Sequence, residues 1–363
     1  MRLLISGGGT GGHIYPALAL ARYAQSQDSS LAVLFVGTEA GLESKIVPQA
    51  GFNLETIPAR GYQRRLKQIG PVLADLRAGL ARSRKIIREF APDVVLGTGG
   101  YVSAPVMTAA VLMRRPTVIH EQNALPGLAN RILAPLVSRV CLSFAETGRR
   151  MPPFSKKAVT GNPRASEVAA VNREDGIRLL NLDPALKTIV AYGGSRGALR
   201  INQVMVRYIR ECGLPPGTQL IYITGDYYYR RVADELAVVP NTVQVLPYLN
   251  EMPAALASAD LVITRSGATT LAEITALGIP ALLIPSPNVV NNHQYYNARL
   301  LVEAGAALLI EESEFNHLRL HREIKQLWSA PARLAKMARA GKKMGVVDAA
   351  ARLFRCLAEV AHS

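Results

Sequence analysis

Cysteine is scarce in this chain. Cys141, Cys212 and Cys356 are the only three, far apart in sequence and odd in number. That pattern excludes a disulfide framework and matches no metal-ligand spacing, so a reducing compartment is expected. Long apolar runs are missing too: none reaches the roughly 18 to 20 residues that a membrane span needs. Only Leu3, Leu4 and Ile5 precede the first glycines, so no secretory leader is expected either. Acid is in short supply, with 27 Asp and Glu against 42 Lys and Arg, a net charge of +15. Such a balance attracts nucleic acid, anionic headgroups or phosphorylated substrates.

What is present is a globular composition, half apolar and a fifth charged, in 363 residues. That length suits two domains better than one core. Between Arg60 and Arg88 nine basic residues face a single acid, Asp75. On a helical wheel Ile69, Val72, Leu73, Leu76, Leu80 and Ile87 share a face, with Lys67, Arg77, Arg84, Lys85 and Arg88 along one side. A basic amphipathic helix of this kind suits an anionic membrane surface. A helix packed on its own sheet, with a solvated outer face, fits the pattern equally well. Aromatic residues do not interleave with the basic ones as on single-strand platforms, so nucleic acid is not expected as a partner.

Strand-like apolar segments alternate with helical patterns along the chain, twice over. "LLIS", "AVLFVG", "DVVLGTGG", "PTVIHE" and "RVCLSF" read as buried parallel strands. The pattern pauses near Pro163 and restarts with "TIVAYGGSRGALRINQ", again strand, glycine turn and helix. The expected fold is α/β: two Rossmann-like, doubly wound domains facing across a cleft, over residues 1–163 and 164–340, with a basic helical tail at 341–363. Ligands of such sheets bind beyond the carboxyl ends of the strands, where the glycine turns lie.

The first turn packs five glycines into Gly7–Gly12. Gly7-x-Gly9-x-x-Gly12 fits a dinucleotide fingerprint, but that reading needs an acid at the end of the second strand. The second strand ends at Gly37 and Thr38, and Glu39 comes too late. A second turn, Gly193-Gly194-Ser195-Arg196-Gly197, also goes unexplained by one dinucleotide. Two ligands, at least one carrying phosphate on the amides of a helix N-terminus, account for both turns.

His13 follows the first turn and opens a helical pattern. The positive end of a helix disfavours imidazolium, so a neutral, proton-accepting His13 is expected. His120, Glu121, Gln122 and Asn123 arrive together at a strand end, a placement that usually lines a site; Glu121 competes with His13 as general base. In the second half Arg265, Ser266 and Gly267 form a turn into a helix whose second turn holds Glu273, able to accept two hydrogen bonds from a vicinal diol such as a ribose. Asn291, Asn292, His293 and Gln294 follow another strand. No Asp-x-Asp pair and no metal-spaced cluster occurs, so no metal or other cofactor is expected, and helix ends and arginines are left to offset diphosphate charge.

Taken jointly, "GGTGGH" (8–13), "GGYVSAP" (99–105), "HEQN" (120–123), "GNP" (161–163), "GGSRGA" (193–198), "RSGATTLAE" (265–273) and "NNHQ" (291–294) give nearly the whole chain a specific resemblance. It resembles the bacterial peptidoglycan glycosyltransferases that add N-acetylglucosamine to undecaprenyl-diphosphate-linked muramyl-pentapeptide. The resemblance implies a GT-B fold, with UDP-N-acetylglucosamine held mainly by the C-terminal domain. It implies that Thr10, Gly11, Gly12 and Asn123 meet the donor sugar, Arg164 and Ser195 the diphosphate side, and Leu249 the uracil through its backbone. Ala268, Thr269, Thr270, Leu271, Ala272 and Glu273 would serve the phosphates and ribose, and Gln294 the sugar hydroxyls. The lipid-linked acceptor would sit on the N-terminal domain, against anionic lipid at the cytoplasmic face of the plasma membrane. Two positions depart from the family pattern: Arg164 follows Pro163 directly, where one residue usually intervenes, and Arg196 stands where Gln is common. The rivals are a UDP-sugar epimerase of the same architecture, a basic nucleic-acid-binding protein and a nicotinamide dehydrogenase.

Overall fold

The computed structural model describes residues 1–60, 69–194 and 197–362. They form two compact units, the first running Met1–Arg164 and resuming at Asp348, the second spanning Ala165–Val347.

In the first unit β1 (Arg2–Gly7), α1 (Gly11–Gln27), β2 (Ala32–Gly37), α2 (Glu43–Gln49), β3 (Asn53–Thr56), α3 (Ile69–Phe90), β4 (Val94–Gly99), α4 (Ser103–Leu112), β5 (Thr117–Glu121), α5 (Leu128–Leu133), β6 (Arg139–Leu142) and β7 (Lys157–Val159) follow in order. All seven strands are parallel, in the order β3-β2-β1-β4-β5-β6-β7. Apolar side chains on both faces of the central strands explain their unbroken apolar runs: Leu3 and Ile5 enter one core, Leu4 and Val95 the other. The order reverses between β1 and β4, so the glycine loop after β1 and the end of β4 adjoin at the switch point.

The second unit repeats this plan. It opens with α6 (Arg164–Ala169), whose first residue still belongs to the first unit, and α7 (Arg173–Leu179). Then come β8 (Lys187–Tyr192), α8 (Leu199–Arg207), β9 (Thr218–Ile223), α9 (Asp226–Leu236), β10 (Val243–Leu246), α10 (Met252–Ser258), β11 (Leu261–Thr264) and α11 (Ala268–Leu277). The series ends with β12 (Ala281–Leu283), α12 (His293–Glu303), β13 (Ala307–Leu309), α13 (His317–Trp328) and α14 (Pro331–Met344). Its parallel sheet runs β10-β9-β8-β11-β12-β13, which brings the loops after β8 and β11 together at a second switch point.

The segment expected as one tail divides. α14 packs on α11 in the second unit, whereas α15 (Ala349–Ala361) packs on α1 of the first. Leu353, Leu357 and Val360 of α15 are buried with Leu18 and Ala21 of α1. This return also brings Cys356 to 3.1 Å from Cys141 on β6, sulfur to sulfur, two residues that look unrelated along the chain.

For the 60–88 segment the structure supports the packed-helix reading over the part it describes. Lys67 lies outside the described residues, as do the side chains of Ile69, Val72 and Leu73. Beyond them α3 packs on its own sheet through Ile86, Ile87 and Leu80, with Leu76, Arg77, Arg84, Lys85 and Arg88 facing outward. No helix among the described residues is long and apolar enough to cross a membrane.

Candidate functional site

Part of the first loop, at Gly8 and Gly9, answers to a side chain that the sequence pattern did not single out. Glu43, at the start of α2, is fully buried beneath the loop. Its Oε2 accepts from the Gly9 amide at 2.9 Å, and its Oε1 accepts from the Thr38 amide at 2.9 Å and the Thr38 hydroxyl at 2.7 Å. A Cβ at Gly8, Gly37 or Gly41 would collide with the Glu43 side chain. The carboxylate after the second strand thus braces the protein's own backbone instead of a ribose. Its trace in the sequence is the surplus of glycine around it, in "GTEAGLE". Gly12 is different: a Cβ there would meet only Thr10 Oγ1, at 3.7 Å. The open side of the loop therefore lies at the first turn of α1, with Thr10, Gly11 and Gly12 at its edge.

Thr10 is the extended N-cap of α1 and makes no side-chain cap, and His13 is the third helical residue. His13 Nδ1 lies 2.9 Å from the Thr98 carbonyl at the end of β4, while the Thr98 hydroxyl donates to the His13 carbonyl at 2.9 Å. A carbonyl can only accept, so Nδ1 carries a proton, and in the neutral imidazole Nε2 is left with the lone pair. That tautomer is the one a general base at Nε2 requires.

The polar cluster at the end of β5 turns inward. His120, Glu121 and Gln122 are buried, and only Asn123 is partly exposed. Burial pushes the His120 imidazole down from its ordinary 6.5 to about 4; the bond to the Gly161 carbonyl opposes the shift, and His13 adds to it whenever it is protonated. Glu121 spends both oxygens on its own loop. Oε1 accepts from the Asn123 amide at 2.9 Å and Asn123 Nδ2 at 3.3 Å, and Oε2 from the Gly127 amide at 2.9 Å and Asn130 Nδ2 at 2.7 Å. Of the four residues expected to line a site at this strand end, three are turned into the protein and Asn123 alone keeps partial exposure. Arg164 begins α6, donates its amide to Asn162 Oδ1 at 3.1 Å, and sets its guanidinium 5.8 Å from the Tyr15 ring centre.

In the second unit Ser195 and Arg196 lie outside the described residues. On either side of them the Gly197 amide donates to the Gly194 carbonyl at 2.9 Å, and Gly194 sits at φ +91, where a side chain would be strained. Across the switch point Gly267 caps α11 without a side-chain bond, and a Cβ on it would meet only Thr270 Oγ1, at 3.8 Å. The first turn of α11 thus offers backbone amides at a place left clear. Thr269 and Thr270 are half-buried there, whereas Ala268, Leu271, Ala272 and Glu273 are buried. Arg265 is not aimed at a ligand. It pairs with Glu312 and donates to the Ile284 and Pro285 carbonyls at 3.0 and 3.3 Å. Gln294 accepts from the Ser286 amide at 2.9 Å through Oε1, which leaves its amide nitrogen as the donor end. Leu249 is half-buried in the loop after β10.

Both halves match known sequence profiles: residues 3–142 the glycosyltransferase family 28 N-terminal domain, residues 188–353 the family's C-terminal domain. The chain is 46% identical, over 99% of its length and 100% of the relative's, to a Halalkalibacterium halodurans protein. That relative is named UDP-N-acetylglucosamine--N-acetylmuramyl-(pentapeptide) pyrophosphoryl-undecaprenol N-acetylglucosamine transferase. The chain belongs to glycosyltransferase family 28. Among solved structures it is similar to Acinetobacter baumannii MurG, at 26% identity and a TM-score of 0.78, with 99% of each chain covered. A Neisseria meningitidis UDP-GlcNAc 2-epimerase, 14% identical at a TM-score of 0.68 over 99% and 100% of the two chains, shares the fold alone. This family 28 glycosyltransferase is thus built as two Rossmann-like units of the GT-B fold, each with a loop of backbone donors at its switch point.

Proposed function

We propose that the enzyme transfers N-acetylglucosamine from UDP-N-acetylglucosamine to the C4 hydroxyl of the muramyl residue of undecaprenyl-diphosphate-linked muramyl-pentapeptide, with inversion. The observation that carries this reading is the 46% identity, end to end, to a transferase named for that donor and acceptor. The chemistry asked of the chain is modest. His13 Nε2 takes the proton from the acceptor hydroxyl as its oxygen attacks the anomeric carbon. The bond from that carbon to the UDP oxygen breaks, and backbone amides stabilise the charge that develops on the departing diphosphate. The Nδ1–H···O contact to Thr98 supports His13 in this role. Four donors on the two Glu121 oxygens support a loop-bracing role for Glu121, not that of a competing base.

The donor falls to the second unit in this reading. The first turn of α11, from Ala268, receives phosphate together with Ser195, and Glu273 takes the ribose hydroxyls. Leu249 meets the uracil, and the Gln294 amide a sugar hydroxyl. Thr10, Gly11, Gly12, Asn123 and Arg164 contact the sugar and diphosphate from the first unit's loops. The acceptor's lipid anchor gives the +15 chain a reason to lie on the anionic cytoplasmic face of the plasma membrane, as a peripheral protein.

The deciding experiment supplies labelled UDP-N-acetylglucosamine with and without the lipid-linked acceptor, in anionic or neutral vesicles. Label should enter lipid only when acceptor is present, and faster on anionic vesicles. Isomerisation of the donor without acceptor would instead make the chain an epimerase. His13→Ala should lower kcat by about a hundred- to ten-thousand-fold with UDP affinity kept, the range for losing a general base. Full turnover would remove His13 from that role.

A further inference from the structure

Behind His13 runs a series of buried polar groups that exchange no proton with either substrate in the transfer. The Thr98 carbonyl accepts from two nitrogens, His13 Nδ1 at 2.9 Å and Gln122 Nε2 at 2.7 Å. The same Gln122 nitrogen lies 3.2 Å from His120 Nδ1, and His120 Nε2 lies 2.8 Å from the Gly161 carbonyl. The direction of every bond follows from the two carbonyls, which can only accept. Gly161 takes the proton of His120 Nε2, so His120 Nδ1 is an acceptor. One Gln122 amide proton goes to that nitrogen and the other to Thr98.

Turning the Gln122 amide over would set its oxygen against the Thr98 carbonyl and against the His120 lone pair. The fold accepts a cost to keep it as it is, because Gln122 Oε1 is buried without a hydrogen-bond partner among the described residues. It is the donor end of Gln122 that the site requires.

We propose that Gln122 is a positioning residue: it holds the Thr98 carbonyl on His13 Nδ1 and so keeps His13 in the tautomer whose Nε2 accepts the substrate proton. The inference rests on His13 as the base. Without a fixed acceptor at Nδ1 the imidazole populates both tautomers, and in one of them the proton occupies Nε2 and no base exists. His120 takes part as the neutral support of Gln122.

The test joins imidazole nitrogen NMR on 15N-histidine-labelled protein with steady-state kinetics. In the wild type the His13 signals, assigned by their loss in His13→Asn, should report a single Nδ1–H tautomer. Gln122→Met keeps length and removes both donors. It should lower kcat about tenfold or more, part of the general-base contribution, change KM for UDP-N-acetylglucosamine less than twofold, and turn the His13 signals into a mixture. A wild-type His13 protonated on Nε2 overturns the proposal without any variant, as does a Gln122→Met enzyme with full kcat or an unmixed Nδ1–H signal. Failure of the base reading looks different: His13→Ala then turns over normally whatever the NMR reports.

Discussion

Glu43→Gln replaces one oxygen of a buried carboxylate with an NH2 of the same shape, and the consequence follows from three hydrogen bonds. If the remaining oxygen stays on Thr38, the new NH2 faces the Gly9 amide, donor against donor. If it turns to Gly9 instead, the Thr38 amide is stranded while the Thr38 hydroxyl accepts from the NH2, so in either arrangement the substitution has the same consequence. It forfeits one hydrogen bond to a charged acceptor and strands one N–H. The first is worth about 1.5–3 kcal/mol and the second about 1–3 kcal/mol, and relief from burying a charge returns part of the total, leaving about 2 kcal/mol. For a unit of this size that is a fall of about 4–8 °C in the first unit's melting temperature. Differential scanning calorimetry, with UDP added to shift the second unit's transition away, reads it directly. Turnover should fall as well, because Gly9 leads into the turn that carries His13. A Glu43→Gln protein melting within about 1 °C of the wild type would refute the view that this carboxylate braces the glycine loop.

Two further outcomes follow from individual groups. His120 has its folded pKa near 4 against an ordinary 6.5, so the unfolded chain binds its proton first, and stability should decline as pH falls from 6.5 to 4, by up to about 3 kcal/mol. Denaturant titrations across that window should lose this component in His120→Asn; an identical slope in both proteins would contradict the buried neutral imidazole. Glu273→Ala should weaken UDP binding about tenfold or more, the loss of hydrogen bonds to a charged acceptor, and erase discrimination against 2′-deoxy-UDP. Unchanged affinity in calorimetry would contradict the ribose assignment.

The order of elements is legible along the chain, because strand and helix periodicities are local properties and the glycine turns punctuate them. So are the two doubly wound halves, since two successive strand–turn–helix series allow few other arrangements. Proximity between residues distant in sequence is not legible in this way. "HEQN" reads as an open cluster by its position at a strand end, yet β5 is an inner strand covered on both faces, which turns its last side chains into the protein. Glu43 carries no motif, and its role exists only because β1 and β2 are neighbours, so that the loops at their ends share one space. The tail's division, and with it the meeting of Cys141 and Cys356, depends on an apolar face of α1 that the sheet leaves to be covered by α15. Sequence determined which residue types stand ready at the strand ends. Which of them brace the loops and which face a ligand was decided by tertiary structure, because a hydrogen bond is directional and each acceptor has only so many lone pairs to give.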